Sequence, residues 1–360
     1  MNYVKNAWYV AGWSPDVGRD SLTAVQILGE PIVLWRTTGA LVALADRCVH
    51  RLAPLSLGRC ESGRLRCMYH GLLYDTQGRC VQIPGQDVIP PGARVRSYPV
   101  LERHSWIWVW MGDPTLADAG LIPPAVGLEE PEWILGRGQL DYQAEACYIN
   151  DNLLDFSHLT YVHANSFGAG PSFAEERPKL IPLPRGVRFE RWNLATKGPV
   201  GRSSEELTDN WMTYDFLIPG VLLMWSGSFS LGTAAACNYE RPDYSQALRG
   251  VTFTSQAVTP MGDRQARYFF SWGPHRQHGD EALRDMLMKL AAQAFGEDKT
   301  MIEAQQRIID LTPDPVIMPT AHDRGVTMFN KLVSRLVREE EGGSQRPREN
   351  ALTGEIDAVT

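Results

Sequence analysis

Two short, mixed pairs of cysteine and histidine constrain the fold of this 360-residue chain more than any other feature. The first pair is Cys48-Val49-His50 and the second is Cys67-Met68-Tyr69-His70, with residues 51–66 between them. Because the two ligands of each pair are only one or two residues apart, each pair is predicted to lie on a tight loop. Four such side chains on two loops indicate a bound metal group.

The composition of the pairs favours a two-iron, two-sulfur cluster over zinc. Two thiolates suit one iron and two neutral imidazoles suit the other, which raises the cluster potential above that of all-cysteine ferredoxins. Structural zinc sites normally keep a pair of cysteines apart from a pair of histidines, or use C-x-x-C pairs throughout. A structural zinc and two unrelated Cys/His pairs are the alternatives. The sequence therefore predicts a [2Fe–2S] cluster, and a role in handling electrons, on Cys48, His50, Cys67 and His70.

The two loops resemble the Rieske motif of the Rieske non-haem iron oxygenases. The matching segments are Cys48–Arg51 and Cys67–Gly71, while Asn6–Ala11 and Ile107–Trp110 are similar to the vanillate O-demethylase oxygenase branch, whose members share Leu72. The resemblance covers roughly residues 3 to 335 and implies an oxygenase (alpha) component. It implies the α+β fold class: an N-terminal all-β Rieske domain, followed by an α+β catalytic domain with an antiparallel sheet and helices, similar to a helix-grip fold.

Strand and turn patterns support this domain order. β-branched and aromatic residues, with turn signals about every ten positions, predict an all-β first third, and the Pro- and Gly-rich segment Gly112–Pro131 predicts a boundary. We predict a Rieske [2Fe–2S] domain over residues 1–115, a mononuclear iron catalytic domain over 116–338, and a disordered polar tail over 339–360.

Strands followed by a long helix indicate an α+β second domain. A long helix is predicted over Glu281–Ile309, with a break near Gly296. The predicted strands of this domain are Val187–Ala195, Trp211–Ile218, Val221–Phe229 and Leu248–Thr259.

A second set of candidate metal ligands lies in Asp151–His163, which is predicted to be helical. At 100° per residue, Asn152, Asp155 and His158 share one helical face. His163 lies about 140° from His158 on an unbroken helix, so the helix is expected to deform or end there. The two imidazoles could then converge on one metal together with a carboxylate, a ligand set that leaves positions open for oxygen. Surface polarity is the alternative interpretation of the two histidines.

The N-x-x-D-x-x-H-x-x-x-x-H pattern resembles the mononuclear iron motif of the same family. The resemblance implies Fe²⁺ on His158 and His163, with Asp298 as the third ligand and Glu297 as the competing choice. It also implies that Asp155 connects the two centres between subunits of a homotrimer, from His70 of one chain to His158 of the next. Asn152 and Asp155 are therefore the candidate catalytic residues beside the ligands.

These sites together predict a terminal oxygenase component that uses O2 and electrons to monooxygenate a small aromatic acid. Oxidative O-demethylation of a methoxybenzoate-like compound, with release of formaldehyde, is the leading expectation. Because no G-x-G-x-x-G follows a strand, we predict a separate NADH-dependent flavin/iron–sulfur reductase as partner. The alternatives are a ring or diaryl-ether dioxygenase, an N-methyl or methyl-group monooxygenase, and a Rieske electron-transfer protein without catalysis.

The substrate pocket is expected to draw on the second-domain strands. Met224, Trp225 and Phe253 suit a flat apolar ligand, and Arg249 could pair with an aromatic carboxylate. Ordinary core packing of the apolar side chains, and solvent exposure of the arginine, are the alternatives. Polar residues that hold the carboxylate in a related methoxybenzoate demethylase do not recur in this sequence.

Charge and composition exclude other classes of partner. The net charge of −7 argues against nucleic acid and anionic membranes, since nothing neutralises phosphates in bulk. The most apolar stretch, Leu217–Phe229, is interrupted by Pro219 and Gly220, so it predicts a buried strand pair and not a membrane helix. The six cysteines without a signal peptide predict metal ligation rather than disulfides, with the cytoplasm as the default location.

Overall fold

The computed structural model describes residues 3–19, 21–166, 170–196 and 206–342, which form two compact units. The N-terminal unit comprises Lys5–Ile122 and Thr259–Asp263, and the C-terminal unit comprises Met1–Val4, Pro123–Val258 and the chain from Arg264 onward. The contacts thus divide the chain within the Gly112–Pro131 segment, a few residues after the boundary predicted at residue 115. The assignment of residues 1–115 and 116–338 to functional domains stays a prediction.

The N-terminal unit is all-β, as predicted. Its antiparallel sheets have the strand orders β1-β10-β9, β2-β3-β4 and β5-β6-β7-β8. The strands are β1 (Trp8–Trp13), β2 (Thr23–Ile27), β3 (Glu30–Arg36), β4 (Leu41–Ala45), β5 (Arg59–Glu61), β6 (Arg64–Arg66), β7 (Leu73–Tyr74), β8 (Cys80–Gln82), β9 (Val100–Arg103) and β10 (Trp106–Trp110).

Tryptophan packing around β10 forms the core of this unit. Every residue of β10 is buried, and each large indole removes much apolar surface from water. The Trp110 ring lies 5.5 Å from that of Trp8, and the Trp106 ring lies 5.4 Å from that of Trp13. Both contacts join β10 to β1, so the strand pair is stabilised by its side chains as well as by its hydrogen bonds.

The C-terminal unit contains a seven-stranded sheet of order β11-β17-β16-β15-β14-β13-β12, accompanied by helices. Its strands are β11 (Gly136–Tyr142), β12 (Lys179–Leu183), β13 (Gly186–Thr196), β14 (Thr208–Leu217), β15 (Val221–Phe229), β16 (Arg249–Gly262) and β17 (Gln265–Pro274). Its helices are α1 (Ala146–Leu154), α2 (Ser172–Glu175), α3 (Thr233–Ala236), α4 (Glu281–Leu311) and α5 (Arg324–Glu341). The strand pair predicted within Leu217–Phe229 is correct only in part: β15 lies within this stretch, whereas β14 ends at its first residue, Leu217.

Helix α4 covers one face of the sheet. The Phe295 ring packs against Tyr268 at 5.1 Å and Phe270 at 4.8 Å, and the Tyr142 hydroxyl donates to the Phe295 carbonyl. The break predicted near Gly296 is wrong, because α4 continues without interruption to Leu311. A glycine inside a helix costs about 1 kcal/mol, which burial of the apolar stripe of α4 outweighs.

Helix α1 ends earlier than the sequence predicted. Asp155 is extended, with φ −132° and ψ 99°, so the helix predicted over Asp151–His163 stops at Leu154. The Asp155 carboxylate accepts from the Ser157 amide and thereby caps a 3₁₀ turn, Phe156–Thr160. The break therefore lies eight residues before His163, because the local hydrogen bond of Asp155 competes with the helix.

The helices bear on the predictions of a disordered tail and of no membrane-spanning helix. The first residues of the polar tail predicted from 339 belong to α5, which extends to Glu341, and residues 343–360 lie outside the described residues. Across the described parts of the chain, no helix is both long enough and apolar enough to cross a membrane.

Asp151 on α1 makes the stability of the C-terminal unit sensitive to pH. Burial raises the pKa of Asp151 to about 6, against a hydrogen bond from Asn330 that lowers it. The folded state therefore binds more protons than the unfolded state between about pH 4 and 6, so this contribution to stability falls as the pH rises through that window. We expect Asp151→Asn to stabilise the protein by about 1–3 kcal/mol at pH 7 and by little near pH 4.

Urea unfolding of the wild type and of Asp151→Asn, at a series of pH values, measures this difference. The amide can still accept from Asn330, so the variant changes the charge and retains the contact. An equal difference in unfolding free energy at all pH values would contradict the assignment.

Candidate metal centres

The two Cys/His loops of the N-terminal unit have the same backbone pattern. In the first, the Leu52 amide donates to the Cys48 carbonyl and the Cys48 amide to the Ala53 carbonyl. In the second, the Gly71 amide donates to the Cys67 carbonyl and the Cys67 amide to the Leu72 carbonyl. Leu52 and Gly71 both have positive φ, 57° and 77°. The spacing of the motifs thus produces two equivalent turns.

The loops bring their side chains together as the sequence predicted. The Cys67 thiol lies within hydrogen-bonding reach of Cys48, and both cysteines are 1% exposed. The His50 and His70 rings lie 4.4 Å apart, and both histidines are exposed. Two buried sulfurs at one end and two solvent-facing imidazoles at the other match the ligand set of a cluster whose irons differ in ligation.

Contacts outside the pairs hold each loop in place. Asp46 accepts from both the amide and the hydroxyl of Ser56, which closes the first loop. Arg66 donates to the Gly71 carbonyl at 2.7 Å, which fixes the second. A side chain at position 71 would place its Cβ 2.8 Å from Pro84, so glycine is required there both for space and for φ.

A second group of ligand side chains forms in the C-terminal unit. The ligand atoms of His158, His163 and Asp298 all lie within 4.8 Å of one another. The Asp298 Oδ1 atom is 3.2 Å from His163 Nε2 and 3.5 Å from His158 Nε2. His163 and Asp298 are buried. Three residues from the 3₁₀ turn, the segment after it and α4 thus point their donors at one place.

Each imidazole is held through its other nitrogen. His158 Nδ1 lies 2.5 Å from the Asp155 carbonyl, and His163 Nδ1 lies 2.9 Å from Glu297 Oε2. Because both partners are acceptors, both Nδ1 atoms carry the proton and both Nε2 lone pairs face Asp298. This is the orientation that outer contacts impose on metal-binding histidines.

The electrostatics of the two histidines differ. Burial holds the pKa of His158 below its ordinary value despite Asp298 nearby. For His163, burial also lowers the pKa, but Asp298 and Glu297 outweigh it and the net shift is upward. Glu297 is itself held by the Ser166 hydroxyl at 2.6 Å and by Gln293 at 3.1 Å. The carboxylate that the sequence offered as a competing ligand lies behind His163.

The other two candidate residues lie beside the same group. The Asn152 amide nitrogen is 3.1 Å from Asp298 Oδ1 and 3.4 Å from His158 Nε2. Asp155 contacts the group through its main-chain carbonyl, while its carboxylate caps the 3₁₀ turn. The three residues therefore do not share one helical face as predicted. Asn152 lies on α1, Asp155 follows the end of α1 and His158 lies on the 3₁₀ turn, and the three still lie close together.

Comparisons with known proteins match both parts of the chain to described domains. Residues 7–99 match the Rieske [2Fe-2S] domain, and residues 142–339 match the vanillate O-demethylase oxygenase C-terminal domain. The chain is a Rieske non-haem iron oxygenase. A putative toluene-4-sulfonate monooxygenase system iron–sulfur subunit of Comamonas testosteroni is 40% identical over 95% of this chain and 99% of its own length.

Further relatives place this oxygenase in the predicted branch. The vanillate O-demethylase oxygenase subunit of a Pseudomonas species is 33% identical, over 94% of this chain and 96% of its own. The crystal structure of dicamba monooxygenase bound to 3,6-dichlorosalicylic acid matches with a TM-score of 0.84 and 27% identity. That match covers 95% of this chain and 99% of the other.

The residues present fit the cofactors of this oxygenase family, a Rieske [2Fe–2S] cluster and Fe²⁺. For the cluster, the fit is the pairing of buried thiols with exposed imidazoles on twin loops. For the iron, it is the donor set of two imidazoles and one carboxylate, with Nε2 lone pairs aimed at Asp298 Oδ1. Such a facial set leaves coordination positions open.

The structure separates the predicted substrate residues of this oxygenase. Met224 pairs with Tyr214, which stacks on Phe156 at 4.6 Å, so Met224 lies on the sheet face near His158. Adjacent strand residues point to opposite faces, and Trp225 stacks on Tyr244 on the other side.

Two further candidates also need correction. Phe253 pairs with Trp225 in the sheet and shares its face, where its ring packs on Trp133 at 5.6 Å. Arg249 is paired with Glu206 at 3.3 Å. Of the four predicted substrate residues, Met224 is the one placed on the sheet face near His158, and its contact with substrate stays a prediction.

Tyr74 makes a hydrogen bond at the cluster site that the sequence did not reveal. Its hydroxyl lies 3.2 Å from Cys48 Sγ and accepts from the Val49 amide at 3.2 Å. Hydrogen bonds to cluster sulfurs raise the reduction potential. We expect Tyr74→Phe to lower the potential by on the order of 50 mV, since about 1 kcal/mol corresponds to that in a one-electron couple. Redox titration of the intact protein measures it, with the exposed Tyr69→Phe as the unchanged control.

Glu297 orients His163, so its removal is expected to weaken iron binding. Loss of an outer partner of a metal-binding histidine typically costs about 10–100-fold in metal affinity. We expect Glu297→Ala to show that loss in iron titrations, and Glu297→Gln, which keeps an acceptor for His163 Nδ1, to recover part of it. Iron affinity at the wild-type level in Glu297→Ala would contradict this role.

Proposed function

We propose that this chain is the terminal oxygenase of a multicomponent system that oxidises a methyl carbon on a small aromatic acid. Oxidative O-demethylation of a methoxybenzoate-like compound is the first expectation. The observation that carries the proposal is the convergence of His158, His163 and Asp298 on one position in a chain that also builds the cluster loops. A Rieske carrier alone would have no use for that group.

The chain's own residues hold the reacting parts, while the bound cluster and iron supply electron transfer and O2 activation. The balance is one oxygen atom into a methyl C–H bond and one into water, which consumes two electrons and two protons. On an O-methyl carbon the product is a hemiacetal that collapses to formaldehyde and the phenol. Glu297 and the Asp155 carbonyl keep both imidazoles in the ligand tautomer throughout.

We propose His158, His163 and Asp298 as the iron ligands, with Asn152 and Asp155 as their catalytic neighbours. In a homotrimer, the Asp155 carboxylate would accept from His70 of a second copy, while its main-chain carbonyl holds His158 of its own chain. This refines the expected connection, because one residue serves both centres through different groups. A separate NADH-dependent reductase and a cytoplasmic location complete the proposal.

Hydroxylation of an aryl methyl group is a second candidate. It is favoured by the relative named for toluene-4-sulfonate, which matches almost the whole chain. The same site serves both reactions, since each begins with oxidation of a methyl C–H bond. The products differ: a hydroxymethyl arene persists, whereas a hydroxylated methoxy group releases formaldehyde.

Single-turnover assays test the function without a reductase. The chemically reduced, iron-loaded protein is exposed to ¹⁸O2 with 4-methoxybenzoate, vanillate, toluene-4-sulfonate or phenoxybenzoate. We expect formaldehyde from a methoxybenzoate, and one labelled atom in a hydroxymethyl product if the second candidate is correct. Two labelled atoms in a diol would establish dioxygenation instead. Absence of any product with all four, while the cluster is reoxidised, would overturn the proposal.

A further inference from the structure

A cavity in the C-terminal unit lies beside the residues that lead to His158. Its volume is about 260 Å³, and it is bounded by the end of α1, the 3₁₀ turn, strands β12 to β14 and the start of α5. Its lining residues share an unusual combination of aromatic walls and cationic groups. Those that carry the argument are Phe156, Phe189, Tyr214, Arg177, Arg191 and Arg324.

The walls of the cavity are flat and apolar. The Tyr214 ring is sandwiched between Phe189, at 4.3 Å and 7°, and Phe156, at 4.6 Å and 25°. Met212 and Leu180 add aliphatic surface. Both faces of Tyr214 are thus occupied by the protein, so a planar ligand ring would lie against Phe156 and this aliphatic surface.

Arg191 brings a buried positive charge to this cavity. It is 7% exposed, and its guanidinium lies over the Phe173 ring at 4.6 Å. One terminal nitrogen donates to the Glu176 carbonyl, while Nη1 has no hydrogen-bond partner among the described residues. Burial lowers the pKa of Arg191, as expected where no carboxylate is paired with it.

A second arginine on the same strand, Arg188, is half-buried and has a carboxylate partner. Arg188 binds the Asp215 carboxylate through two nitrogens, at 2.6 and 2.9 Å. Arg191, three residues later, has no carboxylate partner within the part of the chain that the structure describes. A buried charge without a counter-ion is costly, and a buried donor without an acceptor is rare in folded proteins.

The remaining charges of the lining add to that of Arg191. Arg177 and Arg324 contribute two further cations, and His322 lies beside them. Asp155 is the acidic residue of the lining, and its carboxylate already caps the 3₁₀ turn at Ser157. Among the described lining residues, three arginines against one carboxylate leave an excess of positive charge in the cavity.

We propose that this cavity binds the carboxylate or sulfonate group of a small aromatic acid, with the ring against Phe156, Met212 and Leu180 and the anion at Arg191. The identity of the acid as the substrate rests on the proposed function, whereas the existence of the site does not. The bound acid is either the substrate that is oxidised or a second acid that binds beside α1 and the 3₁₀ turn. Planar guanidinium groups bind both anions through paired hydrogen bonds.

Calorimetry on the full-length, cluster- and iron-loaded protein tests the site with probes that lack a methyl group. Benzoate and benzenesulfonate are the anions, and benzamide and benzenesulfonamide are their neutral counterparts. We expect the wild type to prefer the anions, and Arg191→Met to weaken their binding about 10- to 100-fold with the amides little changed. Arg335→Gln, an exposed arginine of α5 outside the lining, is the matched control and should bind as the wild type does.

Arg324→Gln covers the case in which Arg191→Met does not fold, as judged by the visible cluster spectrum and the melting temperature. This exposed lining residue should weaken the anions severalfold. Anion binding that is unchanged in both variants, or a wild type that does not distinguish acid from amide, overturns the site. In turnover assays, competitive inhibition by benzoate assigns the site to the substrate, and non-competitive inhibition assigns it to a second acid. If no compound is turned over, the proposed function is contradicted, while calorimetry still tests whether the cavity binds aromatic anions.

Discussion

Asp298→Ala is expected to remove the mononuclear iron and abolish oxygenation while the [2Fe–2S] cluster stays intact. Both histidine Nε2 atoms converge on one oxygen of Asp298, at 3.2 and 3.5 Å. The Asp298 carboxylate supplies the oxygen ligand of this group. Because Asp298 is 5% exposed, a side chain from the protein surface cannot take its place unless the site rearranges. The loss of activity should exceed the 10–100-fold that an outer partner costs.

Metal analysis and the visible spectrum separate the two centres in that variant. Iron content should fall by the single mononuclear atom, with the cluster absorption unchanged. Alanine is a good helix former, so α4 should persist. Asp285→Ala, an exposed acidic position on the same helix, is the matched control. Retention of the mononuclear iron in Asp298→Ala would show that Asp298 is not the ligand and would leave Glu297 as the candidate carboxylate ligand.

The choice between Glu297 and Asp298 could be made from the sequence by periodicity. Asp298 continues the buried stripe of α4 formed by Leu287, Ala291 and Ala294, whereas Glu297 lies about 100° away. The structure agrees, since Asp298 is buried and the Glu297 side chain is 26% exposed. The role of Glu297 behind His163 had no sequence signal, because it depends on a segment more than 130 residues away.

Local patterns predicted local features of this fold well. The strand Val221–Phe229 has the bounds that its residues predicted, because an apolar run between turn residues is a local signal. The helix over Asp151–His163 was overestimated, because a single side-chain bond at Asp155 overrides helix propensity there. The predicted break at Gly296 is wrong for the opposite reason, since the packing of α4 on the sheet outweighs the low helix propensity of glycine.

Residues brought together from distant segments were predicted less well. Met224 and Trp225 were grouped because both are large and apolar, but strand alternation assigns them to opposite faces. That correction was available from the sequence alone, once β15 was predicted. The cavity around Arg191 was not, because it requires β13, the segment before β12 and α5 to meet.

Cys67→Ser is expected to remove the cluster and all reductase-dependent turnover while the mononuclear iron stays bound. Cys67 is 1% exposed and lies against Cys48 at the buried end of the site. Burial and the neighbouring Cys48 thiol raise the pKa of Cys67. The thiolate that ligation needs is therefore stabilised by the metal itself, and a serine hydroxyl, which is far less acidic, cannot replace it.

Cys60→Ser is the matched control, because this cysteine lies on the neighbouring strand β5 but outside both pairs. It should retain the cluster absorption and turnover of the wild type. In Cys67→Ser the visible absorption should disappear, and iron content should fall by the two cluster atoms while iron-dependent signals at His158, His163 and Asp298 remain. A cluster that survives in Cys67→Ser would exclude Cys67 as a ligand.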